Sequence, residues 1–239
     1  MKVICLRALF VPILAGATFG GRLVACLGAA VGIAFTALVT AMVFGDGWPA
    51  VLLVAPMGAS AVLVFAVPAS PLAQPWSVIG GNVVSALVGV GIASMVSSPG
   101  LASGLAVGGA ILAMSLLRCL HPPGGAAALT AVIGGHAVAA AGWMFPLLPV
   151  GINAVILTAA GIAFHRLSGH SYPHRPASGL QVPAGPENDG IPHPEDLDAA
   201  LADLGETFDI GRDDLELLFD RVKAHGAMRR RGETSVDRR

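Results

Sequence analysis

The sequence predicts an all-α fold: a polytopic membrane helical bundle of two three-segment repeats, each containing one short broken helix, plus a small helical C-terminal tail. Three observations predict it. Residues 47–117 carry no Asp, Glu, Lys or Arg, enough chain for several crossings at about 20 residues each. Of the 15 acidic residues, only Asp46 precedes residue 187, so the apolar and charged parts of the chain are separate regions. Finally, "PMGASAVL" at 56–63 returns as "PPGGAAAL" at 122–129. The mean hydropathy of +0.74, with 12% charged residues against roughly 25% in soluble proteins, agrees with a membrane protein.

Composition divides the chain into five parts. Residues 1–22 form an N-terminal cytoplasmic or interfacial segment, and 23–167 the transmembrane domain. Residues 168–193 are a Pro/Gly/His-rich linker, 194–231 an amphipathic helical tail, and 232–239 a disordered end. Lys2, Arg7 and "AGA" at 15–17 imitate a cleavable signal peptide. Pro12 and two glycines interrupt that apolar run and a long hydrophobic segment follows, so an uncleaved start is expected. Three cysteines without paired spacing do not make a disulfide framework.

Four segments read as ordinary spans: 23–44, 77–96, 101–117 and 146–165. Their many Gly and Ala residues allow close approach of helix backbones in lipid. Two further segments are half-length. Residues 51–67 are broken by Pro56, and 122–135 lie between Pro122–Pro123 and a Gly-Gly pair. Proline removes a donor and clashes with the preceding turn, so each apolar run should restart as a helix at its proline. Gly58 aligns with Gly124, Ala61 with Ala127, and downstream Asn82 with Asn153, which suggests an internal duplication. Lys2, Arg7 and Arg22 at one end and Arg166 and Arg175 at the other place both termini in the cytoplasm by the positive-inside rule. Six crossings satisfy that rule, as do four crossings with two re-entrant half-helices. Six would make the two halves inverted repeats, the arrangement that marks a transport site in secondary transporters.

The candidate binding residues sit at the two breaks. Gly58, Ala59 and Ser60 follow Pro56; Gly124, Gly125 and Ala126 follow Pro122 and Pro123. A helix start offers unpaired N–H groups and the positive end of its dipole, so two facing starts would cradle a small anion. Glycines there serve either ligand approach or helix packing. His121 and Arg118 are ionisable groups in an apolar setting, where such residues point to function. For His121, an anion contact, proton coupling and a structural hydrogen bond are all open; Arg118 either faces the ligand or snorkels to the interface. Asn82 and Asn153 suit bonds between helices, and Trp48, Trp76 and Trp143 suit the interface. The residues suggest neither a catalytic constellation, a metal site nor a cofactor, and the acidic tail gives no basis for nucleic-acid binding. In the tail, Leu197, Leu201, Leu204 and Phe208, then Leu215, Leu218, Phe219 and Val222, recur at helical spacing. A hairpin this small should dock on the membrane domain, another subunit or a partner protein.

The stretches "APMGASAVLVFAVPASPLAQPWSVIGGNVVSALVG" (55–89) and "LRCLHPPGGAAALTAVIGG" (117–135) resemble the HPP family of integral membrane proteins, whose name is the His-Pro-Pro found here at 121–123. "YPHRP" (172–176) and residues 195–219 are similar to the linker that follows the membrane domain in that family. The resemblance implies nitrite transport for plastid and cyanobacterial members, while most bacterial members carry no assigned substrate. It also implies a following pair of adenine-nucleotide-binding CBS domains, and "RRRGETSVDRR" stands where those would begin. The function expected is therefore a multi-pass inner-membrane transporter or channel for a small anion such as nitrite. The alternative is a non-transporting scaffold or regulatory module whose tail recruits a partner. The expected partners are the lipid bilayer, the anion, and either a second copy of the chain or a protein held by the tail.

Overall fold

The computed structural model describes residues 13–44, 53–174, 194–205, 208–210, 214–219 and 221–222, which divide between two compact units. The larger, Gly20–Arg175, holds the apolar helices. In chain order these are α1 (Phe19–Phe44), α2 (Pro56–Ala66), α3 (Pro75–Met95), α4 (Pro99–Leu116), α5 (Pro122–Ile133), α6 (Gly135–Ala141) and α7 (Ile152–Ser168). No β-strand occurs among the described residues. Proline opens α2, α3, α4 and α5, and Pro146 opens a π-helical stretch, Pro146–Gly151, that runs into α7. The proline ring fixes φ for a first turn whose N–H would have no partner inside the helix.

Helix length separates the segments. At 1.5 Å per residue, α1 is roughly 39 Å long and α3 roughly 32 Å, whereas α2 and α5 reach only about 16–18 Å. Four helical stretches among the described residues are long and apolar enough to cross a bilayer: Phe19–Val43, Pro75–Met95, Pro99–Leu116 and Pro146–Ser168. Residues Pro122–Ile133 and Gly135–Met144 would serve as a fifth only as one broken span, bent by 95° at Gly134. Thus the order long, short, long occurs twice along the chain, with α6 as an extra element in the second half. The Gly134–Gly135 pair predicts the end of that second short segment, and α6 beyond it has no counterpart among the expected elements. Gly135 takes a φ of +76°, so the chain turns there by about a right angle and starts a new helix.

Packing of the bundle rests on small residues. Gly81, Ser85 and Gly89 are four apart on α3 and form the face that meets α5. A Cβ on Gly89 would lie 2.5 Å from the Ala128 carbonyl oxygen, and one on Gly81 would lie 2.5 Å from His121 Cβ. Backbones this close gain dispersion contacts that large side chains would prevent. Similarly, Gly28 and Gly32 of α1 form the notch that receives the Phe65 ring of α2. Outside that notch α1 presents exposed Leu23, Leu27, Val31, Phe35, Leu38 and Met42, which suit contact with lipid.

Polar side chains lock the bundle from within. Asn153 of α7 accepts from the Val54 N–H through Oδ1 (3.0 Å) and donates to Thr40 Oγ1 of α1 through Nδ2 (3.1 Å). Both ends of the α2 C-terminus are held: Arg22 Nη1 donates to the Ala66 carbonyl (3.0 Å) and His165 Nε2 to the Val64 carbonyl (2.8 Å). A cation near these last carbonyls suits the negative end of the helix dipole. Gly169, at φ +81°, ends α7 in the left-handed conformation. The chain then turns back onto the bundle, and Tyr172 is buried with its hydroxyl donating to the Ala73 carbonyl (2.9 Å). His174 N–H donates to Gln74 Oε1 (2.9 Å). Hence the region expected as a linker begins with a docked stretch, because its one tyrosine brings a large apolar ring with a polar tip. The rest of that linker, 175–193, lies outside the described residues, as do residues 1–12 and 232–239.

The second unit comprises Met1–Phe19 with Pro176–Arg239. Its helix α8 (Pro194–Leu204) starts at the expected proline and ends before Gly205, at φ +62°. Residues 208–210 pair with the N-terminal segment: Ala15 N–H donates to the Ile210 carbonyl and Phe208 N–H to the Ala15 carbonyl, each at 3.0 Å. Residues 214–219 and 221–222 are helical, within the expected second tail helix.

Candidate functional site

His121 is the residue immediately before Pro122, held in an extended conformation by that proline, and it stands as the N-cap of α5. Its imidazole is wholly buried. Nδ1 lies 2.7 Å from the Leu72 carbonyl, which can only accept, so Nδ1 carries a proton. Nε2 lies 2.8 Å from Ser60 Oγ in the first turns of α2. Ser60 is also buried, and its hydroxyl has a second acceptor in the Pro56 carbonyl at 3.1 Å. Asn82 of α3 closes the group. Its Nδ2 donates to Ser60 Oγ (3.2 Å) and to the Val78 carbonyl (2.8 Å). The carbonyl contact fixes which end of the amide is nitrogen.

Two polar atoms in this region have no hydrogen-bond partner among the described residues: Asn82 Oδ1 and Ser85 Oγ, both on fully buried residues. Ser85 lies three residues beyond Asn82 on α3, and its Oγ is 2.6 Å from where a Cβ on Gly124 would stand. Leaving such groups unpaired in an apolar interior costs about 1–3 kcal/mol each. Three elements thus converge, α2 through Ser60, α3 through Asn82 and Ser85, and the start of α5 through His121.

The other predicted positions have different surroundings. Gly124 is buried against α3, with Ser85 Oγ, the Gly81 carbonyl and Met114 Sδ all within 3 Å of its absent Cβ. Its glycine identity is required by helix contact. Gly125 is half-buried, whereas Gly58, Ala59 and Ala126 are exposed. Of these backbone positions only Gly124 is buried. The helix starts also offer few donors. Pro56, Pro122 and Pro123 have no N–H, and Met57, Gly58 and Gly124 N–H groups bond to the carbonyls of Val54, Ala55 and His121. What meets between the two short helices is a pair of side chains, Ser60 and His121.

Arg118 is exposed and lies beyond α4, not in the buried group. Its N–H reaches the Ser115 carbonyl (3.3 Å) and the Cys119 N–H reaches the Met114 carbonyl (2.9 Å), a complete Schellman ending. The left-handed position of that motif, normally glycine, is Arg118 itself at φ +54°. Trp76, exposed as expected for an interface residue, donates from Nε1 to the Leu117 carbonyl at the same helix end (3.1 Å). Gln74 ties its own loop together through the Pro68 and Ser70 carbonyls.

Ser85 is the residue that sequence reasoning missed. A serine among Val and Ala on a membrane helix carries no motif. The available signal was its spacing, three beyond Asn82 and four beyond Gly81, which places all three near one face.

Comparison with known proteins agrees with this architecture. The chain is 36% identical over 127 residues to a transmembrane protein of Dictyostelium discoideum, covering 51% of this chain and 44% of that protein. It is 42% identical over 87 residues to a second Dictyostelium transmembrane protein, covering 35% of this chain and 28% of the other. The chain therefore spans less than half the length of either relative. No solved structure matches it. The profile of the HPP transmembrane region matches residues 15–173, which takes in α1 to α7, the His121–Ser60 contact and the docked Tyr172, and the chain belongs to the HPP family of multi-pass membrane proteins.

Proposed function

We propose that the chain is an inner-membrane transporter for a small anion such as nitrite, bound at the buried group formed by Ser60, Asn82, Ser85 and His121. The observation that carries this reading is the convergence of four wholly buried polar side chains where α2, α3 and α5 meet, two of them with an atom unpaired among the described residues. A membrane interior tolerates that cost where polar groups serve a solute. Ser85 Oγ–H supplies a neutral donor, Asn82 Oδ1 an open acceptor, since both Asn82 N–H groups are taken by Ser60 and Val78, and His121 the one imidazole. Opening requires relative movement of α2, α3 and α5, because the side chains have no solvent exposure. In this reading both termini are cytoplasmic and the chain catalyses no covalent chemistry. Arg118 acts at the entrance, from the end of α4.

Nitrite uptake by proteoliposomes containing the full chain tests the proposal. Protein-dependent uptake that falls at least tenfold in Ser85→Val and His121→Gln supports it. Uptake no faster than in protein-free vesicles refutes the transporter, and uptake unchanged in both variants refutes the site. A second reading rests on the tail, where Leu217, Leu218, Phe219 and Val222 are exposed on one short helix. It makes the chain a membrane module that recruits a protein or a second copy through that helix. Deleting residues 190–239 would then release a specific co-purifying partner and leave no flux to lose.

A further inference from the structure

We infer that the site carries its anion together with one proton, so that each cycle is electroneutral; this rests on the transport reading above. Three observations point there. The first is charge. Among the described residues of the bundle no arginine enters the buried group, since Arg22 bonds to Ala66 at the far end of α2 and Arg118 and Arg166 are exposed. A lone anion taken into this interior would lack a counter-charge, at a cost far above that of a neutral pair.

The second is that the partners of His121 suit both of its protonation states. With Nδ1–H donating to Leu72, a neutral ring accepts the Ser60 hydroxyl proton at Nε2. A protonated ring donates from Nε2 to Ser60 Oγ, and the hydroxyl then turns to the Pro56 carbonyl, 3.1 Å away. Neither state leaves an imidazole nitrogen or the Ser60 hydroxyl unpaired. Asn82 Nδ2 donates to Ser60 Oγ in both. The groups around His121 from neighbouring elements are otherwise neutral: Ser60 from α2, Asn82 bonded to that serine and Gly81 from α3, the Leu72 carbonyl from the 71–73 turn, and, beside Gly81, Cys119 with Met114 from the end of α4. Cys119 is the one titratable side chain among them, and its thiol becomes negative only on losing a proton, so no fixed charge holds His121 in either state.

The third is the unpaired Asn82 Oδ1. It is an acceptor, and a bare anion has no hydrogen to give it, whereas the conjugate acid of that anion does. A proton from water is taken at Nε2 on one side. Nε2 passes it to Ser60 Oγ while the Ser60 hydroxyl proton moves to the anion, leaving a neutral ring, an intact serine and a neutral acid. On the other side the acid releases one anion and one proton. The solute class is thus a monovalent weak-acid anion moved one-for-one with H⁺.

Wild-type proteoliposomes holding a pH dye decide the matter, with nitrite as the probe and protein-free vesicles subtracted. The expected result is nitrite influx with lumenal acidification in a 1:1 ratio, driven to about tenfold accumulation per unit of inside-alkaline gradient and indifferent to a potassium–valinomycin potential. Nitrite influx that follows an inside-positive potential without acidifying the lumen overturns the coupling and leaves the transporter standing. No protein-dependent influx overturns both. His121→Gln, which keeps a donor toward Ser60 but cannot carry the extra proton, should lose the proton flux; a 1:1 ratio retained in folded His121→Gln removes His121 from the role. Ser60→Ala should slow the coupled influx at least tenfold with nitrite affinity less affected, and an unchanged rate removes the relay.

Discussion

Gly58 and Gly124 hold equivalent places in the repeated octet, yet alanine should affect them in opposite directions. At Gly124 the new Cβ would lie 2.6 Å from Ser85 Oγ, 2.8 Å from the Gly81 carbonyl oxygen and 2.9 Å from Met114 Sδ. Ser85 and Met114 can rotate away, but the Gly81 oxygen is helix backbone, so α5 has to retreat from α3 by several tenths of an ångström. Overpacking of this kind costs about 1–3 kcal/mol. Alanine returns up to about 1 kcal/mol in helix propensity, so the net loss is about 1–2 kcal/mol. A Cβ on Gly58 meets nothing within 4 Å, so only the propensity gain applies there. Thermal unfolding of both variants in the same detergent should therefore give a Tm about 2–8 °C lower for Gly124→Ala and equal or higher for Gly58→Ala. Ser85→Gly added to Gly124→Ala should recover part of the loss, since it removes one of the three obstructing atoms. Equal melting of the two single variants would refute the argument that α3 contact fixes glycine at 124.

Tyr172→Phe removes the donor to Ala73 and should cost about 1 kcal/mol, read as a lower Tm. Burial raises the Tyr172 phenol above its ordinary value near 10, so the unfolded chain ionises first. That contribution is complete below pH about 10 and is lost as pH rises further. Wild-type Tm should fall above that point, and the fall should be smaller in Tyr172→Phe; parallel pH profiles would contradict the buried hydroxyl. Asn153→Leu strands the Val54 N–H and removes the donor to the Thr40 hydroxyl, which keeps its own bond to the Thr36 carbonyl, and should cost about 1–2 kcal/mol in a denaturation titration, with no loss refuting the α1–α7 lock. Arg118→Gly should raise stability by about 1 kcal/mol, because glycine accepts the left-handed position without the Cβ penalty. A drop in Tm would show that the arginine side chain holds the helix end. A rise in Tm joined to slower nitrite uptake would assign the side chain a functional role.

Much of the architecture was legible because proline and charge act locally. Pro56, Pro75, Pro99 and Pro122 each begin a helix, as the rule for the first helical position requires, and the half-length of α2 and α5 follows from where those prolines stand. The interhelical role expected for Asn82 and Asn153 was legible too, since a buried amide in an apolar bundle must find partners. The surroundings of the glycines were not. "PMGAS" and "PPGGA" describe the same backbone turn, and whether its glycine faces another helix or the outside depends on where α3 passes, a fact with no local signal. That is why Gly124 lies against Gly81 and Ser85 while Gly58 is exposed. The candidate site was half visible for the same reason: the ionisable His121 is conspicuous in any apolar chain, but Ser85 acquires meaning only beside it. The docked return of Tyr172 and His174 adds a connection that neither motif contains. These two residues bond to Ala73 and Gln74, and the adjacent Leu72 carbonyl holds His121 Nδ1. Three consecutive residues therefore join the exit of the membrane domain to its buried imidazole, so displacement of that exit segment would act on the orientation of His121 before it acted on any other part of the site.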